Sequence, residues 1–301
     1  MMKKIQKVLS AVMSTVLVLG IASGCTSSAG SSSTAQSTKS SASAASTADA
    51  KVLRVGMECA YAPHNWTQTD NSNDAIQIKN SQNEYANGYD VMIAKQLADS
   101  IGYKLEIYKV EWDGLIVGVQ TGKIDVIIAG MAATDARRKS IDFTNPYDDG
   151  SYCILVKKGG KYENATSIND FAGAKVSSQI NTVLYDTLVP QLKGAKKLEG
   201  LGDAPTVFAA LASGKLDAAP MDYPTAISAA KTNGNLKVIQ FAEGKGYVLK
   251  GLDGSSYIGV KKGNTELVSK LNDALKKYSK ADMEKMMQKA VDIQPISKSA
   301  S

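Results

Sequence analysis

The chain predicts an α/β fold built as two similar lobes, and three observations carry that prediction. Apolar strands and amphipathic helices alternate from residue 52 onward. One strand-and-helix phrase occurs twice, 92 residues apart. Residues 26–50 have a composition that cannot build a core, so what precedes them stands apart from the rest.

The N-terminus sets the compartment. Lys3, Lys4 and Lys7 form a basic head, and the apolar run VLSAVMSTVLVLGIAS comes after it. The run ends in small residues at Gly24-Cys25, so residues 1–24 read as a secretory signal peptide. Residues 26–50 are nearly all Ser, Thr, Ala and Gly. Such a segment has no apolar face to bury and reads as a flexible tether. The string IASGC resembles a bacterial lipobox, which implies a lipidated Cys25 as the mature terminus, although Ala22 stands where leucine is commoner. The other reading is an ordinary signal peptide with an incidental cysteine. No later stretch is apolar enough to span a bilayer.

About 250 residues remain, enough for one large or two medium domains. The net charge of +6 falls to about +3 once residues 1–24 leave, too little to argue for nucleic acid. His64 is the only histidine, and beyond Cys25 only Cys59 and Cys153 remain, with no CxxC. That argues against the common zinc sites and against Ser-His-Asp or Cys-His catalysis. We therefore expect no cofactor, no metal and no catalytic residue. A Cys59–Cys153 disulfide suits an extracellular compartment. Two buried thiols suit the sequence equally well.

From residue 52 strands and helices take turns. VLRVGM (52–57) is a short apolar strand, and the polar stretch 67–87 reads as a long loop. YDVMIAKQLADSIG places Ile93, Ala94, Leu97, Ala98 and Ile101 on one helical face, with Gly102 at its end. YKLEIYKV alternates like a strand, WDGLIVGVQTG is a helix ending at Gly122, and IDVIIAG is a buried strand. VQTGKIDV (119–126) then recurs as LASGKLDA (211–218): helix end, glycine cap, lysine, and an apolar strand with an aspartate. Either two lobes share a plan, or a common connection has been reused by chance. SYCILVKK (151–158), AKVSSQ (174–179) and LKVIQF (236–241) are further strands. The tail from Asn264 reads as helix, with Leu267, Leu271 and Leu275 at four-residue steps.

Ligands of open α/β sheets bind beyond the carboxyl ends of the strands. Those positions hold Glu58 and Tyr61, then Trp112, then MAATDARR, then Asn181-Thr182, then Asp222. Carboxylates, aromatic rings, an arginine and a hydroxyl are the groups a free amino acid needs. Its carboxylate wants a bidentate donor and N–H groups, its ammonium a carboxylate, its side chain a wall. Thr134 suits a helix N-cap, which puts Arg137 in the first turn, where a cation opposes the helix dipole. Sequences tend to break local rules where function demands it. A solvated surface arginine is the equal alternative for Arg137 and the better one for Arg138.

At these residues the chain resembles the polar amino acid-binding proteins of bacterial ABC importers. The likeness runs from about Leu53 to the C-terminal helices, and GKIDVIIAGMAATDARRKSIDFTNPY (122–147) is its most specific stretch. LRVGMECAYAP, NGYDVMIAKQLA, WDGLI and SGKLDAAPMD match other family segments in order. The resemblance implies a two-lobed periplasmic-binding-protein-like fold with two crossing hinge strands. Lobe one would be 51–147 plus 243–301, and lobe two 148–242. Arg137 would pair with the ligand carboxylate, helped by main-chain groups of Gly130 and Ala132 and by Thr182 from the second lobe. Asp222 would hold the ammonium. Tyr61 and Trp112 would pack the side chain, with Glu58 reaching toward its tip. Ala132 stands where a serine or threonine is common, Asn181 where glycine is frequent, and His64, read as packing, where an aromatic is frequent.

The implied function is capture of a polar or cationic amino acid, closure by hinge motion, and delivery to an ABC permease with its ATPase subunit. The protein would be a monomer on the extracellular face of the cell membrane, held by its lipid anchor only, with no nucleic-acid partner. Two rivals stand beside this reading. One is an enzyme on the same fold, like the cyclohexadienyl dehydratases, with Glu58 as its acid. The other is a ligand-sensing surface protein.

Overall fold

A computed structural model describes residues 51–295. The expected signal peptide, Cys25 and the expected tether to residue 50 lie outside the described residues. Strand β1 (Val52–Met57) opens the fold. Four short strands come next: β2 (Ala60–Tyr61), β3 (Asn65–Gln68), β4 (Ile76–Gln77) and β5 (Tyr85–Asn87). Then come α1 (Tyr89–Ile101), β6 (Lys104–Lys109), α2 (Trp112–Thr121), β7 (Val126–Ile127), α3 (Asp135–Ser140) and β8 (Ile141–Asp148). The middle of the chain supplies β9 (Tyr152–Lys157), β10 (Lys175–Val176), β11 (Lys196–Lys197), α4 (Ala204–Ala212), β12 (Ala218–Asp222), α5 (Tyr223–Thr232) and β13 (Leu236–Ile239). Strand β14 (Ser256–Lys261) and helices α6 (Thr265–Leu275) and α7 (Lys280–Ile293) complete it.

Two five-stranded sheets result, in the orders β6-β1-β7-β14-β8 and β11-β10-β12-β9-β13. Their plans match. In the first, β1 runs parallel to β6 and β7, and β14 is antiparallel to β7 and β8. In the second, β10 runs parallel to β11 and β12, and β9 is antiparallel to β12 and β13.

The repeated phrase occupies the same place in both sheets. Gly122 and Gly214 each end a helix with a φ of +76°, a conformation that glycine adopts without a Cβ clash. Asp125 then accepts the N–H of Arg54 at 2.8 Å, and Asp217 that of Lys175 at 2.7 Å. The preceding glycine carbonyls take the cations of the same two residues, Arg54 Nη1 at 2.7 Å and Lys175 Nζ at 2.6 Å. The two aspartates thus tie the start of each repeat strand to its parallel neighbour.

One feature differs from the sequence expectation and another refines it. The stretch 67–87 is not a plain loop: it contributes to a small antiparallel sheet, β2-β3-β5-β4. Its polar side chains satisfy its own backbone. Gln68 Nε2 reaches the carbonyls of Asp70 and Ser72 at 3.0 Å each, and Asn87 Nδ2 that of Asn73 at 3.1 Å. Amides used inward in this way leave no apolar periodicity to read. The tail is two helices, because Ser279 and Asp282 form a capping box that starts α7.

The core of the first sheet buries Leu53, Val55 and Met57 under α1, whose Ile93, Ala94, Leu97 and Ala98 face it, while Ile101 is half-buried. The second sheet has its own cores, around Leu155 and Met221 and around Phe171 and Val176. Cys59 belongs to the first sheet's core and Cys153 to the second's; both are buried free thiols. The chain passes between the sheets after β8 and returns before β14, where Ser256 pairs with Asp148. There the backbones nearly touch. A Cβ on Gly150 would lie 2.4 Å from the Gly254 carbonyl oxygen, so glycine permits the two strands to cross. Among the described residues, no helix is long and apolar enough to cross a membrane.

Candidate functional site

A cleft opens where strand ends of both sheets meet. All eight residues picked out as ligand-binding line it: Glu58, Tyr61, Trp112, Gly130, Ala132, Arg137, Thr182 and Asp222. Most of them sit just past a strand end or at a helix start. Glu58 comes after β1, Trp112 opens α2, Gly130 and Ala132 come after β7, and Asp222 ends β12.

Arg137 enters the cleft from the first turn of α3. Thr134 caps that turn, its Oγ accepting the Arg137 N–H at 3.2 Å. The guanidinium lies 5.0 Å from the centre of the Trp112 ring and donates to the carbonyls of Ala132 at 2.8 Å and Asn181 at 3.0 Å. Among the described residues no carboxylate pairs with it. Desolvation brings this arginine down to about 10, the mark of a cation taken from water without an anion beside it. Arg138 points elsewhere. It is exposed, and its guanidinium lies 5.5 Å from the ring centres of both Phe143 and Tyr257, outside the cleft.

Main-chain groups surround the Arg137 end. Gly130 has a φ of +60°, and a Cβ there would stand 3.2 Å from the Tyr61 ring. Its N–H is taken by Tyr147 Oη at 2.9 Å, which leaves its carbonyl. The N–H of Ala132 has no acceptor among the described residues. Thr182 donates its hydroxyl to the Gln179 carbonyl at 2.6 Å, and its N–H has no acceptor among the described residues.

The opposite end is anionic and crowded. Asp222 caps α5 by accepting the Thr225 N–H at 3.0 Å. It also accepts a short bond from the Tyr61 hydroxyl and stands 3.3 Å from His64 Nε2. Burial alone would raise the Asp222 carboxyl, but His64, Tyr61 and the Thr225 N–H together hold it below its usual range. His64 is only 2 % exposed, stacks on Tyr61 with 5.3 Å between ring centres, and stands between Asp222 and Asp90. Burial would lower the imidazolium; the two aspartates outweigh that and raise it well above its ordinary value. Packing describes half of what His64 does, since its Nε2 also meets the Asp222 carboxylate in the cleft.

Glu58 is buried, and Gln179 Nε2 of the second sheet donates to it at 2.7 Å. Desolvation pushes its carboxyl up to about 7, with the Gln179 bond pulling the other way. Among the cleft residues that sequence reasoning missed are Gln179 and Asp148, and it read His64 as packing alone. Gln179 could have been found at the end of AKVSSQ. Nothing in PYDDG distinguishes Asp148 from Asp149.

Known proteins resemble this chain along most of its length. Residues 53–292 match the family described as bacterial extracellular solute-binding proteins, family 3. The L-cystine-binding protein of Escherichia coli strain K12 is 28 % identical over 229 residues, 76 % of this chain and 77 % of its own length. A substrate-binding protein of a Streptococcus pneumoniae amino acid ABC transporter, solved with L-arginine, superposes with a TM-score of 0.70 at 26 % identity. That match covers 81 % of this chain and 95 % of the other. An ancestral amino acid-binding protein described as a precursor of cyclohexadienyl dehydratase gives a TM-score of 0.64 at 29 % identity, over 80 % and 95 % of the two chains.

Proposed function

We propose that this chain, which belongs to family 3 of the bacterial extracellular solute-binding proteins, captures a polar or cationic amino acid outside the cell and hands it to an ABC import permease. The observation that carries this reading is Arg137, a mostly buried guanidinium on a tryptophan face with only neutral acceptors. It lacks the anion that a ligand carboxylate would supply, beside the free N–H groups of Ala132 and Thr182. Asp222, from the other sheet, takes the ammonium, and Tyr61 and Trp112 wall the side chain. Glu58 takes a cation at the side chain's tip, which would restore the ionised form that burial disfavours. Leucine or valine would leave that carboxyl buried and unpaired. Lobe one, 51–147 plus 243–301, and lobe two, 148–242, would close about the Gly150–Gly254 crossing.

The test is a thermal-shift screen of the common amino acids, cystine included, since a ligand of the folded state raises its stability with concentration. Hits among arginine, lysine, histidine, glutamine and cystine support the reading. Aliphatic leaders, or no hit, overturn it. A dehydratase is the second reading, favoured by a buried carboxyl near neutrality in the cleft and by the ancestral neighbour. It predicts turnover, whereas a receptor releases its bound amino acid unchanged.

The extracellular anchor is Cys25, joined to the fold by the tether. Cys25→Ser should move the protein from the membrane fraction to the medium or the soluble fraction. A variant that stays with membranes would remove the lipid anchor from this account.

A further inference from the structure

Asp148 ends β8, where the chain leaves the first sheet, and its backbone pairs with Ser256 on the returning strand. It therefore sits on the hinge, and its side chain lines the cleft. Among the described residues its carboxylate has no hydrogen bond and no ion pair. The contrast with the next residue is sharp: Asp149 is exposed and stands 2.9 Å from Lys280 Nζ. Desolvation pushes the Asp148 carboxyl up to about 6; His64 pulls it down, and Asp222 and Asp90 push it up further. It lines the same cleft as His64 and Asp222. A half-buried acid without a partner has lost part of its water, so a cation there would be stabilised.

Asp222 cannot by itself satisfy an ammonium. A carboxylate offers about four lone-pair positions and an ammonium three N–H donors. Tyr61, His64 and the Thr225 N–H already occupy three positions on Asp222. We propose that Asp148 is a ligand-binding residue, the second carboxylate that receives the ligand's α-ammonium. The inference rests on the amino-acid reading above. It adds a consequence: an ammonium shared by Asp148 on the hinge and Asp222 on the second sheet ties occupancy of the amine position to closure.

The experiment is titration calorimetry of the full-length protein with L-arginine, L-lysine, L-glutamine, L-cystine and the α-hydroxy analogue of arginine. Wild type, Asp148→Asn, Asp148→Ser and Asp149→Asn are compared, with melting temperatures recorded. For every amino acid that wild type binds, Asp148→Asn and Asp148→Ser should lose about tenfold or more in affinity, and Asp149→Asn less than about twofold. The preference for arginine over its hydroxy analogue should shrink in the Asp148 variants, which a merely structural role would not do. Equal losses for the amino and hydroxy ligands, or no loss, overturn the assignment. A wild type that binds none of the five removes the functional reading and this inference together. It is told apart because wild type and Asp149→Asn then fail alike.

Discussion

Residues 119–126 and 211–218 fold into the same connection, down to the aspartate that ties each strand to its neighbour. Beyond the two copies the chain diverges. After the first it turns through Gly130 and Ala132, is capped by the neutral Thr134, and delivers Arg137. After the second the capping residue is itself the acid, Asp222. One scaffold used twice therefore sets opposite charges at two ends of a shared cleft. The ends are not equally prepared. Arg137 is met only by carbonyls and a ring, whereas Asp222 already holds Tyr61 and His64 of the first sheet's side. The cationic end awaits an anion, and the anionic end already links the two sheets.

The largest effect should come from breaking the less prepared end. Arg137→Ala leaves the ligand carboxylate desolvated and unpaired, a loss of roughly 2–5 kcal/mol. Calorimetry should show binding abolished or nearly so. Arg138→Ala removes a guanidinium stacked outside the cleft and should change affinity by less than about threefold. Equal losses from the two would dissolve the contrast between the copies.

Asp222→Asn should come next, weakening binding by about ten- to a hundredfold, since a neutral amide still accepts from an ammonium but without charge. It should also reduce the compaction on ligand addition seen by small-angle scattering. The His64 ring, losing one of its two aspartates, should titrate lower by NMR. Unchanged affinity in this variant removes Asp222 from the site.

The smallest effect tests the side-chain wall. Glu58→Gln should cost cationic ligands about tenfold and spare glutamine. Burial fixes the sign of the pH dependence: in the empty cleft the Glu58 carboxyl is held up at about 7, and a cation binds its ionised form. Affinity for L-arginine should rise as pH increases through about 7, and in Glu58→Gln that part of the rise should vanish. A profile identical in the two proteins shows that Glu58 does not read charge.

Much of this was legible in the chain. The helical face of α1 and the glycine stops at Gly102 and Gly122 come from local spacing, and so does the double phrase. Of the residues that the strand-end rule picked out, Glu58, Tyr61, Trp112, Ala132, Arg137, Thr182 and Asp222 line the cleft, whereas Asn181 and Arg138 do not. The small sheet within 60–87 was not legible, because two-residue strands and inward-turned amides carry no periodicity. Helix α7 could have been separated from α6 by reading Ser279 and Asp282 as a capping box.

Local pattern could place each charge beside a strand end, because strands, helices and caps are set by neighbours a few residues apart. It favoured Arg137 over Arg138 without deciding that Arg137 enters the cleft, and it could not tell Asp148 from Asp149. Partners distant in the chain separate them. Tyr61 meets Asp222 across 161 residues, and Glu58 meets Gln179 across 121. The folded arrangement alone decides how much water each charge loses and what replaces it. That decision leaves Arg137 short of an anion and Asp148 short of a cation.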